Sequence, residues 1–181
     1  MTPVTYREID TIDAKLFSTI DRLEVIDGRY TVVGSRLVLE PHYHVVTGWY
    51  PSEIADHPAK IRHCISSGGS AFGAFAGSGL VGLAALDPSG LGGDASVMQL
   101  EPLHVSVGYR NRGIGETLVS LVADAARNLG ATSIYISIIP TRNSVDAYLR
   151  MGARLASPPD PVLLAMEPED IHLVLPIVEA V

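Results

Sequence analysis

The chain is poor in sulfur and has no long apolar run, and both shortages narrow what it does. Cys64 is the only cysteine among 181 residues, which excludes an intramolecular disulfide and a cysteine-based zinc site. Nothing around Cys64 would activate a thiol, so it reads as a buried core residue. No apolar run reaches the length of a membrane span, and the first eight residues, Met1 to Glu8, lack the apolar core of a signal peptide. These absences predict a cytoplasmic product with no membrane partner. Charge is also sparse: 18% of residues are charged against 47% hydrophobic, a balance that argues against disorder. Basic residues are outnumbered, giving a formal charge of −7, and they are scattered except near one loop. General nucleic-acid binding needs a basic face and is excluded. The acidic balance mildly favours a cationic small partner through steering, though plain solubility explains it as well. The length suits one domain, residues 1–181, with a single packed core.

What is present gathers between Leu100 and Ala153. The run Val105-Ser-Val-Gly-Tyr-Arg-Asn-Arg-Gly-Ile-Gly115 begins as an apolar strand, turns through a loop holding Arg110, Arg112, Gly113 and Gly115, and enters a helix pattern at once. The first turn of a helix leaves N–H groups unpaired at the positive end of the macrodipole. Glycines let backbone approach an anion closely, and arginines add full charges. This is a site for a phosphate. A P-loop would need Lys-Ser/Thr after Gly113, where Ile114-Gly115 stands; a dinucleotide turn would need a glycine at Leu118. Both fail on a residue their chemistry requires.

The rest of the chain alternates. A strand is expected over Val4–Ile9, a helix over Ala14–Ile20, and a hairpin of Tyr30–Val33 and Arg36–Leu39 around Gly34-Ser35. Pro41 to Pro51 is dense in aromatic and imidazole groups. A helix should start near Ser52 and close at Gly68-Gly69, with a break or kink at Pro58. Ala71–Phe75 and Leu80–Leu86 read as a second hairpin. Ser96–Val107 is a strand whose apolar phase slips by one residue between Leu100 and Leu103, with Pro102 between them, as a β-bulge requires. The helix after the loop should bury Ile114, Leu118, Leu121, Val122, Ala125 and Leu129 and end at Gly130. Ser133–Ile139 reads as a strand buried on both faces, Ser144–Met151 as a short helix, and Val162–Met166 and His172–Leu175 as the last strands. The sum is a mixed α/β sheet with helices on both faces.

Arg110-x-x-Gly113-x-Gly115 resembles the acyl-CoA pyrophosphate loop, Arg/Gln-x-x-Gly-x-Gly/Ala, of the GNAT superfamily of N-acyltransferases. Leu103-His-Val105 before it, and Asn143 with Tyr148-x-x-x-Gly152 after it, sit where that superfamily has equivalents. The resemblance implies a mostly antiparallel central sheet whose one parallel strand pair is splayed by the bulge, with the pantetheine arm of acetyl-CoA in the gap. It implies cofactor contacts at Leu103, Val105 and Val107, through the loop residues Arg110, Asn111, Arg112 and Gly113, through Ile114, Gly115 and Glu116 of the first helical turn, and at Asn143. Valine and asparagine at 107 and 111 replace the proline and glycine common there, and neither change removes a donor. Tyr148 would protonate the departing thiolate; a core aromatic is its plain alternative, as a helix N-cap is for Asn143.

Acyl transfer to an amine also needs a base. Glu101, beside the bulge, is the first candidate, with Gln99 on the same face to orient a water or the amine; a water chain is the alternative, and strict alternation points His104 away from Glu101. His42, Tyr43, His44, Trp49 and Tyr50 could line an acceptor pocket, and Asp21 and Glu24 could hold a cation. His42 and His44 lack a third ligand, so no metal is expected. The implied activity is direct acetyl transfer to a small-molecule amine, with a protein N-terminus or lysine as the alternative acceptor, and a non-enzymatic acyl-CoA-binding module as a different class. The layout faintly resembles streptothricin-type acetyltransferases, and a homodimer is a habit of the superfamily.

Overall fold

The computed structural model describes residues 3–177. Its frame is a seven-stranded sheet formed by β1 (Val4–Glu8), β4 (Ala71–Ala76), β5 (Gly79–Asp87), β6 (Val97–Val105), β7 (Ser133–Ile138), β8 (Arg154–Leu155) and β9 (Ile171–Pro176). The strand order is β1-β4-β5-β6-β7-β9-β8, and β2 (Glu24–Val33) and β3 (Arg36–Val46) form a separate hairpin. Every neighbouring pair is antiparallel except β6 and β7. A parallel pair needs a crossover, and α3 (Ile114–Asn128) supplies it.

Two cores lie on opposite faces of the sheet. On one, α3 buries Ile114, Leu118, Val119, Val122 and Ala126 against Ala84, Leu86, Met98, Leu100, Ile134, Ile136 and Leu173. The stripe is rotated from the sequence expectation: Leu129 is exposed and Leu121 and Ala125 only half-buried. Val145 and Tyr148 of α4 (Arg142–Arg150) join this core. On the other face, α1 (Ala14–Phe17) and α2 (Pro51–Ser66) pack Phe17, Ile61 and Cys64 against Phe75, Leu80, Leu83 and Ala85. Cys64 is buried as expected, and that burial, reinforced by Asp87 and Glu101, pushes its thiol up to about 12.

Several elements differ from the sequence expectation for identifiable reasons. Val162–Met166 is not a strand but lies within a short helix, α5 (Pro161–Met166), because Asp160 caps it by accepting the N–H groups of Val162 and Leu163. The helix from Ala14 is a single turn rather than seven residues. Helix α2 runs through Pro58 without interruption, the ring buried against the core. The hairpin is far longer than Tyr30–Leu39, and Pro41–Val46 belongs to its second strand.

Hairpin β2–β3 does not extend the sheet; it docks on α4 and the end of β7. Tyr30 donates its backbone N–H to the Pro140 carbonyl and its hydroxyl to Asp146 at 2.7 Å. Arg142 bridges Asp27 and Asp146. No helix among the described residues is long and apolar enough to cross a membrane.

Candidate active site

Strand β6 carries the bulge its sequence predicts. Leu103 pairs with Ala84 and Glu101 with the adjacent Ala85, so Pro102 is the extra residue. Proline is tolerated there because a bulge residue owes the ladder no N–H. The parallel pairing of β6 on β7 covers only Val97–Gln99 against Ser133–Tyr135 and stops before the bulge. Past that point the two strands diverge.

Past the bulge, the edge of β6 is not paired with β7. Ser106 donates its N–H to the Val81 carbonyl at 2.8 Å. Antiparallel ladders alternate, so His104 also bonds toward β5, while the N–H and C=O of Leu103 and Val105 turn toward the gap. Arg110 Nε donates to the Val105 carbonyl at 3.0 Å, tying the loop to the strand end. Val107 is placed differently: it sits in a single 3-10 turn, Val107–Tyr109, and its N–H is engaged by the Asp21 carbonyl at 3.0 Å.

The loop then meets α3. Asn111 and Gly113 both have positive φ, 58° and 77°, and asparagine and glycine adopt that geometry with least strain. A Cβ on Gly113 would meet nothing within 4 Å, so the requirement there is conformational. Gly115 faces Leu103, Val105 and Met151 at ordinary contact distance. The N-cap Gly113 supplies no side-chain acceptor, whereas Asp13, Thr141 and Asp160 cap α1, α4 and α5. The first-turn N–H groups of α3, at Ile114, Gly115 and Glu116, therefore lack a side-chain cap. Glu116 is exposed beside them, Ile114 is buried, and the Arg112 guanidinium lies 5.3 Å from the Tyr109 ring centre.

Tyr148 and Glu101 approach the gap from different elements. Tyr148 is 5% exposed; burial first, and the Glu101 carboxylate second, raise its phenol above the usual range. It keeps its proton at neutral pH. Glu101 is half-buried and accepts a hydrogen bond from Gln99 Nε2 at 2.9 Å. Burial raises its carboxyl, Asp87 raises it further, and Lys60 opposes. A carboxyl shifted upward is a stronger base when ionised.

His104 lies on the same face as Glu101, contrary to simple alternation. Its partner Leu83 and Glu101's partner Ala85 both belong to the α2-side core, because the bulge restores the phase. Its ring stacks edge-on to Trp49 at 4.7 Å and His57 at 5.0 Å, with Phe17 closing the cluster. Burial lowers the pKa of both imidazoles, and neighbouring cations lower it further. Sequence reading missed His57, which carries no local signal on an amphipathic helix.

Of the five aromatic and imidazole residues offered as pocket lining, the structure brings only Trp49 to this place, with its Nε1 bonded to the Ile20 carbonyl. His42, Tyr43 and His44 are exposed on β3, and Tyr50 is exposed at the start of α2. Among the described residues no group of three or more His, Cys, Asp or Glu is arranged to hold a metal. Asn143 is not the N-cap of α4, which is Thr141; its Nδ2 donates to Glu24 Oε1 at 3.2 Å, holding that buried carboxylate against the helix. Asp21 is spent on local backbone, its carboxylate accepting the Leu23 N–H.

The model of the acetyltransferase (GNAT) family matches residues 39–153. No curated protein sequence matches the chain. Its fold is similar to nourseothricin acetyltransferase, at 20% identity and TM-score 0.70, covering 97% of this chain and 99% of that one. It is also similar to a Bacillus anthracis protein assigned as a streptothricin acetyltransferase and solved with acetyl coenzyme A, at 15% identity and TM-score 0.73, covering 96% and 98%. An aminoglycoside 6'-N-acetyltransferase complexed with coenzyme A aligns at 17% identity and TM-score 0.56, over 73% of this chain and 84% of that one. At these identities the likeness is one of fold.

Proposed function

The chain belongs to the GNAT family of acetyltransferases, and we propose that it transfers the acetyl group of acetyl-CoA to a primary amine of a small molecule. Transfer is direct, within a ternary complex in the cytoplasm, with no acyl-enzyme. The observation that carries this reading is the splayed β6–β7 seam, with an uncapped helix N-terminus at one end and Glu101 and Tyr148 converging on it. The α3 first turn, with Gly113, Gly115, Arg110 and Arg112, holds the pyrophosphate. The outward backbone groups of Leu103 and the N–H of Val105 pair with the pantetheine amides as an added strand would, and Asn143 lies on the helix flanking that arm.

Glu101, directly or through a water oriented by Gln99, takes one proton from the substrate ammonium and so frees the nitrogen lone pair. The amine nitrogen bonds to the thioester carbonyl carbon, the C–S bond breaks, Tyr148 delivers its proton to the leaving sulfur, and the second proton of the nitrogen restores the phenol as the amide forms. Antibiotic acetyltransferases among the similar folds support a small amine over a protein acceptor. A cavity of about 490 Å³ between the tip of hairpin β2–β3 and the β8–β9 segment, with Arg29, Tyr30, Asp170 and His172 in its wall, includes neither Glu101 nor Tyr148 and does not bear on the choice of acceptor. A protein acceptor would call for an open groove.

The test is a thermal-shift titration with acetyl-CoA, coenzyme A, ATP and NAD, followed by thiol release with nourseothricin as acceptor. A ligand at a hundred times its Kd stabilises by about 2.7 kcal/mol. Stabilisation by both coenzyme A forms alone is the expected result. Stabilisation by neither, in a folded sample, removes the reading.

A further inference from the structure

Hairpin β2–β3 meets the body of the molecule through β2, and β3 lies outside it. The Tyr30 N–H donates to the Pro140 carbonyl, away from β3. Tyr30 and its cross-strand partner Leu39 are therefore a non-hydrogen-bonded pair. It follows that Leu39 turns its own N–H and C=O to the outer edge of β3, and by alternation Leu37 does the same. Pro41 stands next in that row, where it has no N–H to leave unpaired. Strand β3 is 11 residues long, and among the described residues no strand but β2 pairs with it.

A long unpaired edge with apolar side chains is a template for another strand. The segment Arg36-Leu-Val-Leu-Glu40 says which strand fits. It is symmetric about Val38 in residue kind, with leucine on either side and charges of opposite sign at the ends. Arg36, Val38 and Glu40 share one face of the hairpin, and all are exposed. Neither Arg36 nor Glu40 belongs to an ion pair among the described residues. Run antiparallel against itself about Val38, this segment sets each arginine directly opposite a glutamate, and opposite charges in that position stabilise a strand pair.

We propose that the outer edge of β3 pairs with the same edge of a second copy of this chain, about a two-fold axis at Val38. Leu37 faces the partner's Leu39, and both turn their N–H and C=O into the new ladder, so they exchange main-chain bonds, as does the symmetric pair. Val38 faces the partner's Val38 as a non-hydrogen-bonded pair, and Arg36 faces the partner's Glu40. The ladder ends where Pro41 would meet the turn residue Ser35, since proline has no N–H to give. The two hairpins become one four-stranded sheet, which removes the open edge and adds the strands that an isolated hairpin lacks. The proposal stands apart from the acetyltransferase reading.

Sedimentation equilibrium of the full chain tests it. The wild type should approach twice 19.3 kDa at about 100 μM, where a dimer with Kd near 10 μM is the main species. Arg36→Glu and Glu40→Arg each set like charges opposite one another and should raise the dimer Kd about tenfold or more. The double variant restores opposite charges and should return Kd to within about threefold of wild type. All three positions at issue are exposed, so Tm should be unchanged. Val38→Cys adds a geometric readout: Cα atoms of a non-hydrogen-bonded pair are about 4.5 Å apart, within disulfide reach. Mild oxidation should give a covalent dimer, whereas Val45→Cys, far from the axis on the same strand, should give none; Cys64 is buried and does not compete. A monomeric wild type at about 100 μM overturns the proposal. So does a dimer that neither charge reversal weakens, a double variant that stays monomeric, or a Val38→Cys protein that does not cross-link.

Discussion

Glu101 and His104 sit three residues apart on β6 and face the same side of the sheet, since Pro102 adds one residue between them while their partners Ala85 and Leu83 stay two apart. A strand without the bulge would have put one of them on each face. The same insertion ends the pairing with β7, so one proline both opens the gap and sets two titratable groups on the α2 side of it.

The carboxyl of Glu101 is raised chiefly by burial. As the base it must be ionised, so log kcat/KM falls as pH drops through a value above the ordinary glutamate range, about 4.3. Glu101→Gln should lose about a hundredfold in kcat and lose that acidic limb. The variant should also gain stability relative to wild type as pH rises through the carboxyl's range, because the wild-type chain holds its proton more tightly folded than unfolded. A pH profile identical to wild type would assign the proton transfer to water.

For Tyr148→Phe, kcat should fall at least about tenfold while the thermal shift produced by acetyl-CoA stays the same. The ring fills the same buried space, so packing is preserved and the loss isolates the hydroxyl. Unchanged turnover would reduce Tyr148 to a core aromatic.

His57 and His104 are both held neutral in the folded state by burial and nearby cations. The unfolded chain titrates near pH 6.5, so unfolding takes up protons below that value. Stability present above pH about 6.5 is lost as pH falls toward the depressed folded values. The urea midpoint should therefore be lower at about pH 5.5 than at about pH 7.5, and His104→Phe, which keeps the contacts with Phe17 and Trp49, should flatten the slope. An equally steep slope in the variant would place the acid sensitivity elsewhere.

Gly69 follows α2 where the chain turns into β4. A Cβ there would stand 2.0 Å from the Leu86 carbonyl oxygen and 3.0 Å from that of Cys64, and backbone cannot swing aside as a side chain can. Gly69→Ala should cost about 1–3 kcal/mol and lower Tm by about 2–4 °C for each kcal/mol. A melting curve matching wild type would show that the turn relaxes freely.

The seam was legible from Leu100 to Gly115 because each feature there is local: the phase slip at Pro102, the two glycines, and the helix pattern that begins at once. The cavity was not. Its wall joins Arg29 to His172, and docking of a hairpin on α4 depends on contacts such as Tyr30 to Asp146 that no short window contains. The burial of β7 on both faces was legible from its β-branched content, and Ile134, Tyr135 and Ile136 are indeed all buried. Val162–Met166 misled, since an apolar run of five is compatible with a strand or a helix and the cap at Asp160 decided it.

The parallel register of β6 on β7 is three residue pairs long, and it joins an N-terminal arm, β1-β4-β5-β6, to a C-terminal one, β7-β9-β8. Each arm is zipped by antiparallel neighbours, while their junction is bridged by the α3 crossover and paired over a shorter register than any neighbour but β8 on β9. The sheet thus has a built-in crack whose tip lies at Gln99. Anything lodged between the faces of that crack and bonded to both stitches the two arms together, so its binding energy becomes cohesion of the whole sheet.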